Sequence, residues 1–357
     1  MNYTFLNVHN YTEAFQLKQE KIQIEHQYGY RAFIGASQLQ PQRHTINNSN
    51  YALASDLVNH QKTTKLTFAR EEIAREIAAS GRQNDVNRLI ERITRTDCKL
   101  TIIHGPSGVG KSSILRAGLV PTLQSQPIGE RLAMPIVIGA YADWVTALGR
   151  NFNQIMTQMD LAVNLEITPA LLLENIRLLT ENNYTVILIF DQFEEFFFTK
   201  KHHLRKKQFY DFFSQCFELS FVKVIVSIRE DYLHYLLEFE RLGVENNNSA
   251  YNLGVINQNI LDKDIRYYLG KFSVQDAIGV IDVLTQSSHY ELTNELINQL
   301  VQDLASDVDE VHPIELQIVG AQLQAEKITT LSEYNDSGGS QKLVLRWLEE
   351  VIKDCGR

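Results

Sequence analysis

The sequence predicts an α/β fold followed by an all-helical domain, and three observations carry that expectation. Four short apolar runs rich in β-branched residues recur between residues 99 and 229. Amphipathic helical stretches separate them, and beyond about residue 260 the strand-like runs stop. Unbroken apolar strands that alternate with helices imply a parallel sheet covered on both faces.

Taken in chain order, residues 1–65 are rich in Asn, Gln, Tyr and His and have little periodicity. A helix over 11–27 and a loop at QRHTINNSNYALASD are expected, so this region reads as an N-terminal arm or small cap. Residues 66–97 are expected to be helical, because Ile73, Ile77 and Ala78, then Leu89, Ile90 and Ile93, recur at helical spacing. The four strands are KLTIIH (99–104), MPIVIGAY (134–141), TVILIFD (185–191) and VKVIVSIR (222–229), with YNLGVI (251–256) as a candidate fifth. The stretch 204–219 puts Phe209, Phe212, Phe213, Cys216 and Phe217 on one helical face. After it, LDKDIRYYLGKF, SVQDAIGVIDVLTQ, YELTNELINQLVQDL, HPIELQIVGAQLQAE and QKLVLRWLEEVIKD all read as helices. Asp262 and Thr293 are candidate N-caps, and Val344, Trp347, Leu348, Val351 and Ile352 form an apolar stripe. The expected division is 1–65 (arm), 66–258 (α/β domain), 259–330 (helical domain) and 331–357 (the start of a further helical or winged-helix segment).

Composition narrows the function classes. The chain has 357 residues, 44% hydrophobic and 22% charged, which is enough apolar material for a sizeable core. A formal charge of −9 argues against a protein whose main task is gripping nucleic acid. Cys98, Cys216 and Cys355 are odd in number and far apart, which fits a reducing cytosol rather than a disulfide framework. MNYTFLNVHNYTEAF lacks a basic n-region and a long apolar core, so no signal peptide is expected. No run of about 18 apolar residues exists, so no membrane helix is expected either. A cytoplasmic location follows as the expectation. The histidines fall into no metal spacing, and His202-His203 reads as the solvated start of a basic helix.

The chemistry concentrates in LTIIHGPSGVGKSSILRAGLVP, where an apolar strand breaks into glycines, places one lysine and resumes as a helix. Gly105-x-x-x-x-Gly110-Lys111-Ser112 is the P-loop pattern. Glycines let successive backbone N–H groups turn inward as a nest for phosphate oxygens. The helix start behind the nest favours negative charge. Gly105, Pro106, Ser107, Gly108, Val109, Gly110, Lys111, Ser112 and Ser113 are therefore the candidate nucleotide-binding run. Lys111 would reach the β- and γ-phosphates, and the Ser112 hydroxyl would complete a Mg²⁺ shell. VILIFDQFEEF supplies an acid at another strand end: Asp191 would hold Mg²⁺ through water. Glu194 or Glu195 could orient or deprotonate the attacking water; the alternative, for Glu195 above all, is an exposed acidic turn. Arg229 ends the next strand on the edge where ligands bind, and could contact the γ-phosphate or pair with Glu230 or Asp231. The base is expected to be adenine, since neither TKKH nor LDKD fits a guanine-reading loop.

Four segments in order, FAREEIAREI, GPSGVGKSSILRAGLVPTL, VILIFDQFEEFF and VIVSIREDYL, resemble the STAND NTPases. More narrowly, they look like the bacterial branch with an Asp-Gln-Phe-Glu-Glu Walker B, often fused to β-propeller repeats. The resemblance spans roughly residues 66–330. It implies a P-loop NTPase with a parallel sheet of the additional-strand, AAA+-like order. It also implies a switch that exchanges ADP for ATP, forms a homo-oligomer in the ATP state and can serve in antiphage defence. Lys111, Ser112 and Asp191 would be phosphate and Mg²⁺ ligands, Glu194 the water-activating acid and Arg229 a sensor. Arg70 would stand near the nucleotide, and Pro313 in HPIELQIVGAQL near the adenine. The sequence departs from the family at Ala69, where Gly is usual, and at Val311-His312, which lack the usual Gly before the proline. Neither an effector nor a repeat sensor is recognisable, so separate or missing domains are expected. Two other classes compete: an AAA+-type ATPase acting on nucleic acid, and a pseudoenzyme that only binds ATP. Gln192 after Asp191, and Arg229 where Asn or Thr is usual, count against the first. A small-molecule kinase is disfavoured because no Arg-rich lid segment follows the sheet.

Overall fold

The computed structural model describes residues 82–139, 141, 143–159, 167–198, 203–237, 262–288, 290–306 and 309–355. Arg70, the helix over 11–27, the strand YNLGVI and the division after 258 lie outside the described residues. Two compact units are distinguished, with the α/β unit ending at Lys271 and the helical one resuming at Phe272.

The α/β unit opens with α1 (Arg82–Thr94), in which Leu89 and Ile93 of the predicted periodic face are buried, Ile90 is half-buried, and Val86 is buried as well. β1 (Leu100–Gly105) follows. Then the helical run divides into α2 (Lys111–Ser113), a π-helical stretch (Ile114–Leu119) and α3 (Val120–Ser125). The Val120 amide bonds to the Leu115 carbonyl, five residues back. Pro121 has no N–H to give Ala117, and Gly118 is a poor helix former, so a regular α-ladder is hard to hold here. β2 (Leu132–Ile138), α4 (Trp144–Gln158), α5 (Pro169–Glu181) and β3 (Tyr184–Phe190) come next. They are followed by α6 (Glu194–Phe198), α7 (His203–Glu218), β4 (Val222–Arg229) and a 3₁₀ turn at Glu230–Leu236.

The sheet order is β2-β3-β4-β1-β5, with every pair parallel. β4 is inserted between β3 and β1, which is the additional-strand order. Side chains alternate across it. Leu100 and Ile102, Val186, Leu188 and Phe190, and Val222, Val224 and Val226 belong to one core, with Leu148 and Phe152 of α4, Leu172 and Ile176 of α5, and Phe209, Phe213 and Phe217 of α7. The alternate residues Ile103, Ile187, Ile189 and Ile225 are also buried. Against that opposite layer α1 packs on the π-helical stretch and α3 packs on β2. Edge strand β2 is blunted by Pro135 and by Asn151, whose side-chain amide donates to the Val137 carbonyl at 3.0 Å.

One expected helix is corrected. LDKDIRYYLGKF contains β5 (Arg266–Tyr268), which pairs with β1 through Ile102↔Arg266 and His104↔Tyr268. Asp262 does not cap a helix; its carboxylate accepts from the Asp264 amide at 3.2 Å, a local turn.

The helical unit holds a two-stranded antiparallel pair, β6 (Phe272–Ser273) with β7 (Glu310–Val311). Its helices are α8 (Val274–Ser288), α9 (Asn294–Leu304), α10 (Pro313–Glu326), α11 (Leu331–Ser337) and α12 (Gly339–Cys355). Thr293 caps α9 by accepting from the Leu296 amide, as its sequence suggests. Tyr334 and Leu343 share one core with Val301, Val319 and Leu323, so α11 and α12 belong to the core of α9 and α10. The stripe expected on α12 is only partly inward: Val344 and Trp347 are half-buried and Leu348 and Ile352 face solvent, while the buried residue of the helix is Leu343, outside the stripe.

Candidate nucleotide site

The loop after β1 has the backbone that a phosphate nest requires. Gly108 and Gly110 have φ of 77° and 90°, in the left-handed region that L side chains avoid. Gly105 is needed for another reason: a Cβ there would meet the Leu269 carbonyl oxygen at 2.1 Å. That carbonyl belongs to the segment after β5, whose Leu269 amide bonds to the His104 carbonyl at 2.8 Å. Arg82 adds a second tie, donating to the carbonyls of Gly270 (2.6 Å) and, within the loop, Val109 (3.4 Å). Ser107 is exposed at the loop tip, Pro106 is half-buried, and Val109 and Ser113 are buried beneath.

Lys111 begins α2, and its ammonium donates to the carbonyls of Gly105 (2.9 Å) and Pro106 (2.7 Å), folding back over the loop. Burial brings its pKa down to about 8, against the opposing pull of the Glu194 carboxylate.

Asp191 follows β3 and is wholly buried. Its amide donates to the Ile138 carbonyl at 2.8 Å, and its own carbonyl accepts from the Tyr141 hydroxyl at 2.6 Å. Ser112 donates to Oδ1 at 2.9 Å, and Arg116 donates from Nε to Oδ2 at 3.1 Å. Ser112 and Arg116 are four residues apart and so share a helix face. The next residue, Gln192, turns the chain with φ 54°, and α6 then starts at Glu194.

Glu194 is buried, and desolvation raises its pKa; its Oε2 accepts from the Arg229 amide at 3.2 Å. Glu195, beside it, is half-buried. Arg229 is in register with Gly105 across the β1–β4 pair, which puts it on the loop's edge of the sheet. Its guanidinium pairs with Asp231 at 2.8 Å and lies over the Tyr232 ring, 5.2 Å from the centroid. Asp231, not Glu230, is thus its acidic partner by ion pair among the described residues. Phe197 stacks on Tyr235 and Phe198 meets Tyr232 edge-on, so aromatic pairs join α6 to the 3₁₀ turn behind Arg229.

The fold thus gathers the 105–113 loop, Asp191, Glu194 and Arg229 along the carboxyl edge of the sheet. Pro313, at the first turn of α10, belongs to the helical unit and is described within it. Arg116, Tyr141 and Arg82 also stand at the site, and the motifs do not single them out. Arg116 carries a signal, its four-residue spacing from Ser112, whereas Tyr141 and Arg82 reach the site only through tertiary packing.

A hydroxyl and a carboxylate 2.9 Å apart are hard oxygen donors that fit Mg²⁺. Among the described residues no three His, Cys, Asp or Glu side chains cluster around a metal position. A cation held here would take the rest of its shell from phosphate and water oxygens.

A glycine-turned loop between a parallel strand and a helix, with a strand-end aspartate against the helix's first hydroxyl, defines the site of a P-loop NTPase. The family model described as Novel STAND NTPase 1 matches residues 80–356, and the chain belongs to that family. Among solved structures, the Walker-type ATPase paby2304 of Pyrococcus abyssi is 16% identical, over 76% of this chain and 71% of that one, with a TM-score of 0.51. The ORC2 protein of Aeropyrum pernix in its ADPNP–ADP complexes is 14% identical, over 76% and 67%, with a TM-score of 0.48. The ORC1 protein of Aeropyrum pernix in complex with DNA is 14% identical, over 76% and 66%, with a TM-score of 0.46. At such identity the first likeness is one of fold. No curated protein matches the chain. No helix among the described residues is long and apolar enough to cross a membrane.

Proposed function

We propose that this protein is an ATP-dependent signalling switch that binds ATP and ADP with Mg²⁺ and hydrolyses ATP slowly. The observation that carries this reading is the buried Asp191 carboxylate, 2.9 Å from the Ser112 hydroxyl at the mouth of the glycine loop. The loop amides and Lys111 would hold the phosphates, and Ser112 and Asp191 would hold Mg²⁺. A cation there would neutralise charge developing on the β- and γ-phosphate oxygens. Glu194 is the better candidate base of the two glutamates. Burial raises its pKa, and its Oε2 accepts from the amide of Arg229, which is in register with Gly105 at the start of the loop. Arg229 would exchange Asp231 for the γ-phosphate, a change a sensor can report. Adenine is the base this reading assigns, with Pro313 beside it and Arg70 near the nucleotide. Residues 66–258 with β5 would then be the nucleotide domain, and the helices after it the domain that reads its state.

Family membership supports the switch role, and with it a cytoplasmic protein that self-associates in the ATP state, acts with separate sensor and effector modules and serves in defence against phage. The wet-lab test is single-turnover hydrolysis with Glu194→Gln and Glu195→Gln in parallel. Loss of a general base lowers the rate by roughly 10²–10⁴-fold. Glu194→Gln should show that loss, keep ATP bound and shift the protein to larger assemblies by light scattering. Unchanged hydrolysis in both variants would mean that neither acid is a base and would leave a protein that only binds ATP.

A further inference from the structure

We propose that Arg116 is a positioning residue for the metal site: it fixes the rotation of the Asp191 carboxylate so that Oδ1 stays on the Ser112 side. This rests on the nucleotide reading of the loop. An aspartate side chain has a broad, roughly two-fold χ2, so one hydrogen bond leaves its carboxylate free to turn. Here two points are held, Oδ1 by the Ser112 hydroxyl (2.9 Å) and Oδ2 by Arg116 Nε (3.1 Å). The Asp191 side chain is 1% exposed, so its orientation is set by protein partners rather than by solvent. Its backbone is pinned as well, by the Ile138 carbonyl and the Tyr141 hydroxyl, which leaves the χ angles as the remaining freedom.

The helix geometry explains why residue 116 does this. Ser112 and Arg116 stand one turn apart, and the π-helical stretch begins at Ile114 between them. Arg116 is the only basic residue of that stretch, and its side chain is 42% exposed, so it reaches inward from the rim. Lysine could supply the charge but not the directed Nε–H, so the two residues are not interchangeable here.

Groups that orient a metal ligand typically change metal affinity by roughly 10–100-fold when removed. The test is binding of a fluorescent, non-hydrolysable ATP analogue to wild type, Arg116→Ala and Arg116→Lys, titrated with Mg²⁺ and repeated in EDTA. Arg116→Ala should need at least about 10-fold more Mg²⁺ for the half-maximal gain in affinity. Its affinity in EDTA should stay within about 2-fold of wild type, because loop and Lys111 contacts are intact. Arg116→Lys should fall between the two. An equal loss of affinity with and without Mg²⁺ would assign Arg116 to the fold and overturn the proposal, as would an unshifted Mg²⁺ requirement. So would failure of both variants to fold, judged by circular dichroism and thermal unfolding. If wild-type protein binds the analogue under neither condition, the nucleotide reading falls first and this inference with it.

Discussion

Lys111 shows how far one side chain's environment sets the behaviour of the site. Its pKa near 8 in the free protein comes from burial. Bound phosphates would stabilise the ammonium and raise that value, so binding takes up a proton above about pH 8. Affinity for ATP should therefore be level below about pH 8 and fall by up to roughly tenfold per pH unit above it. Calorimetry across that range checks this, and an affinity unchanged to about pH 9.5 would contradict it. The sequence made Lys111, Ser112 and Asp191 legible because each stands at a strand end or helix start within a complete motif. Arg116 was less legible: an arginine in an apolar helix looks like a solvated face until the strand that carries Asp191 comes beside it. Tyr141 lies at the end of an apolar run, where nothing local distinguishes a hydroxyl that meets a backbone carbonyl from an ordinary core tyrosine.

At the scale of elements, unbroken apolar runs made β1 to β4 readable, and β5 was hidden for a physical reason. Its three residues, Arg266–Tyr268, pair only at the sheet edge. Buried Ile265, Tyr267 and Leu269 alternate with Arg266 and Tyr268, so the run lacks the unbroken apolar stretch of the central strands, and it is too short to stand out from the helices around it. Asp262, which closes a local turn, imitates a helix cap in sequence. The helix after Lys111 likewise looks uniform in sequence, and its π-helical stretch depends on a ladder broken near Gly118 and Pro121. The β5 exit sets one constraint that can be tested directly. Gly105→Ala would drive a Cβ into the Leu269 carbonyl at 2.1 Å. Overpacking of this kind costs about 1–3 kcal/mol, so the urea midpoint should fall, and an unchanged midpoint would mean the segment simply moves aside. On the other face, Phe209 lies 4.5 Å from the Phe196 ring and 5.2 Å from Trp144, centroid to centroid. Phe209→Ala should destabilise the unit by about 3–5 kcal/mol, seen in the same denaturant curves. A loss below about 1 kcal/mol would show that the aromatic layer repacks.

For the whole molecule, two separate cores underlie the two units among the described residues. The α/β unit carries the loop, the acids and Arg229 on one sheet edge. The helical unit is built on Tyr334, Val319, Leu323 and Leu343. The order of these units was legible because strand-like runs cease in the second. The attachment of α11 and α12 to the α9–α10 core was not, since helical periodicity tells which face is apolar but not what covers it. Ligand binding to the α/β unit should stabilise the protein by about 2.7 kcal/mol at a hundredfold excess over Kd. Every proposed step depends on one claim, that the loop at 105–113 binds ATP through Lys111. The most direct measurement is calorimetric titration of wild type and Lys111→Ala with ATP and Mg²⁺. The account predicts one ATP bound per wild-type chain and sharply weakened binding in the folded variant. Equal affinity in the two proteins would contradict it.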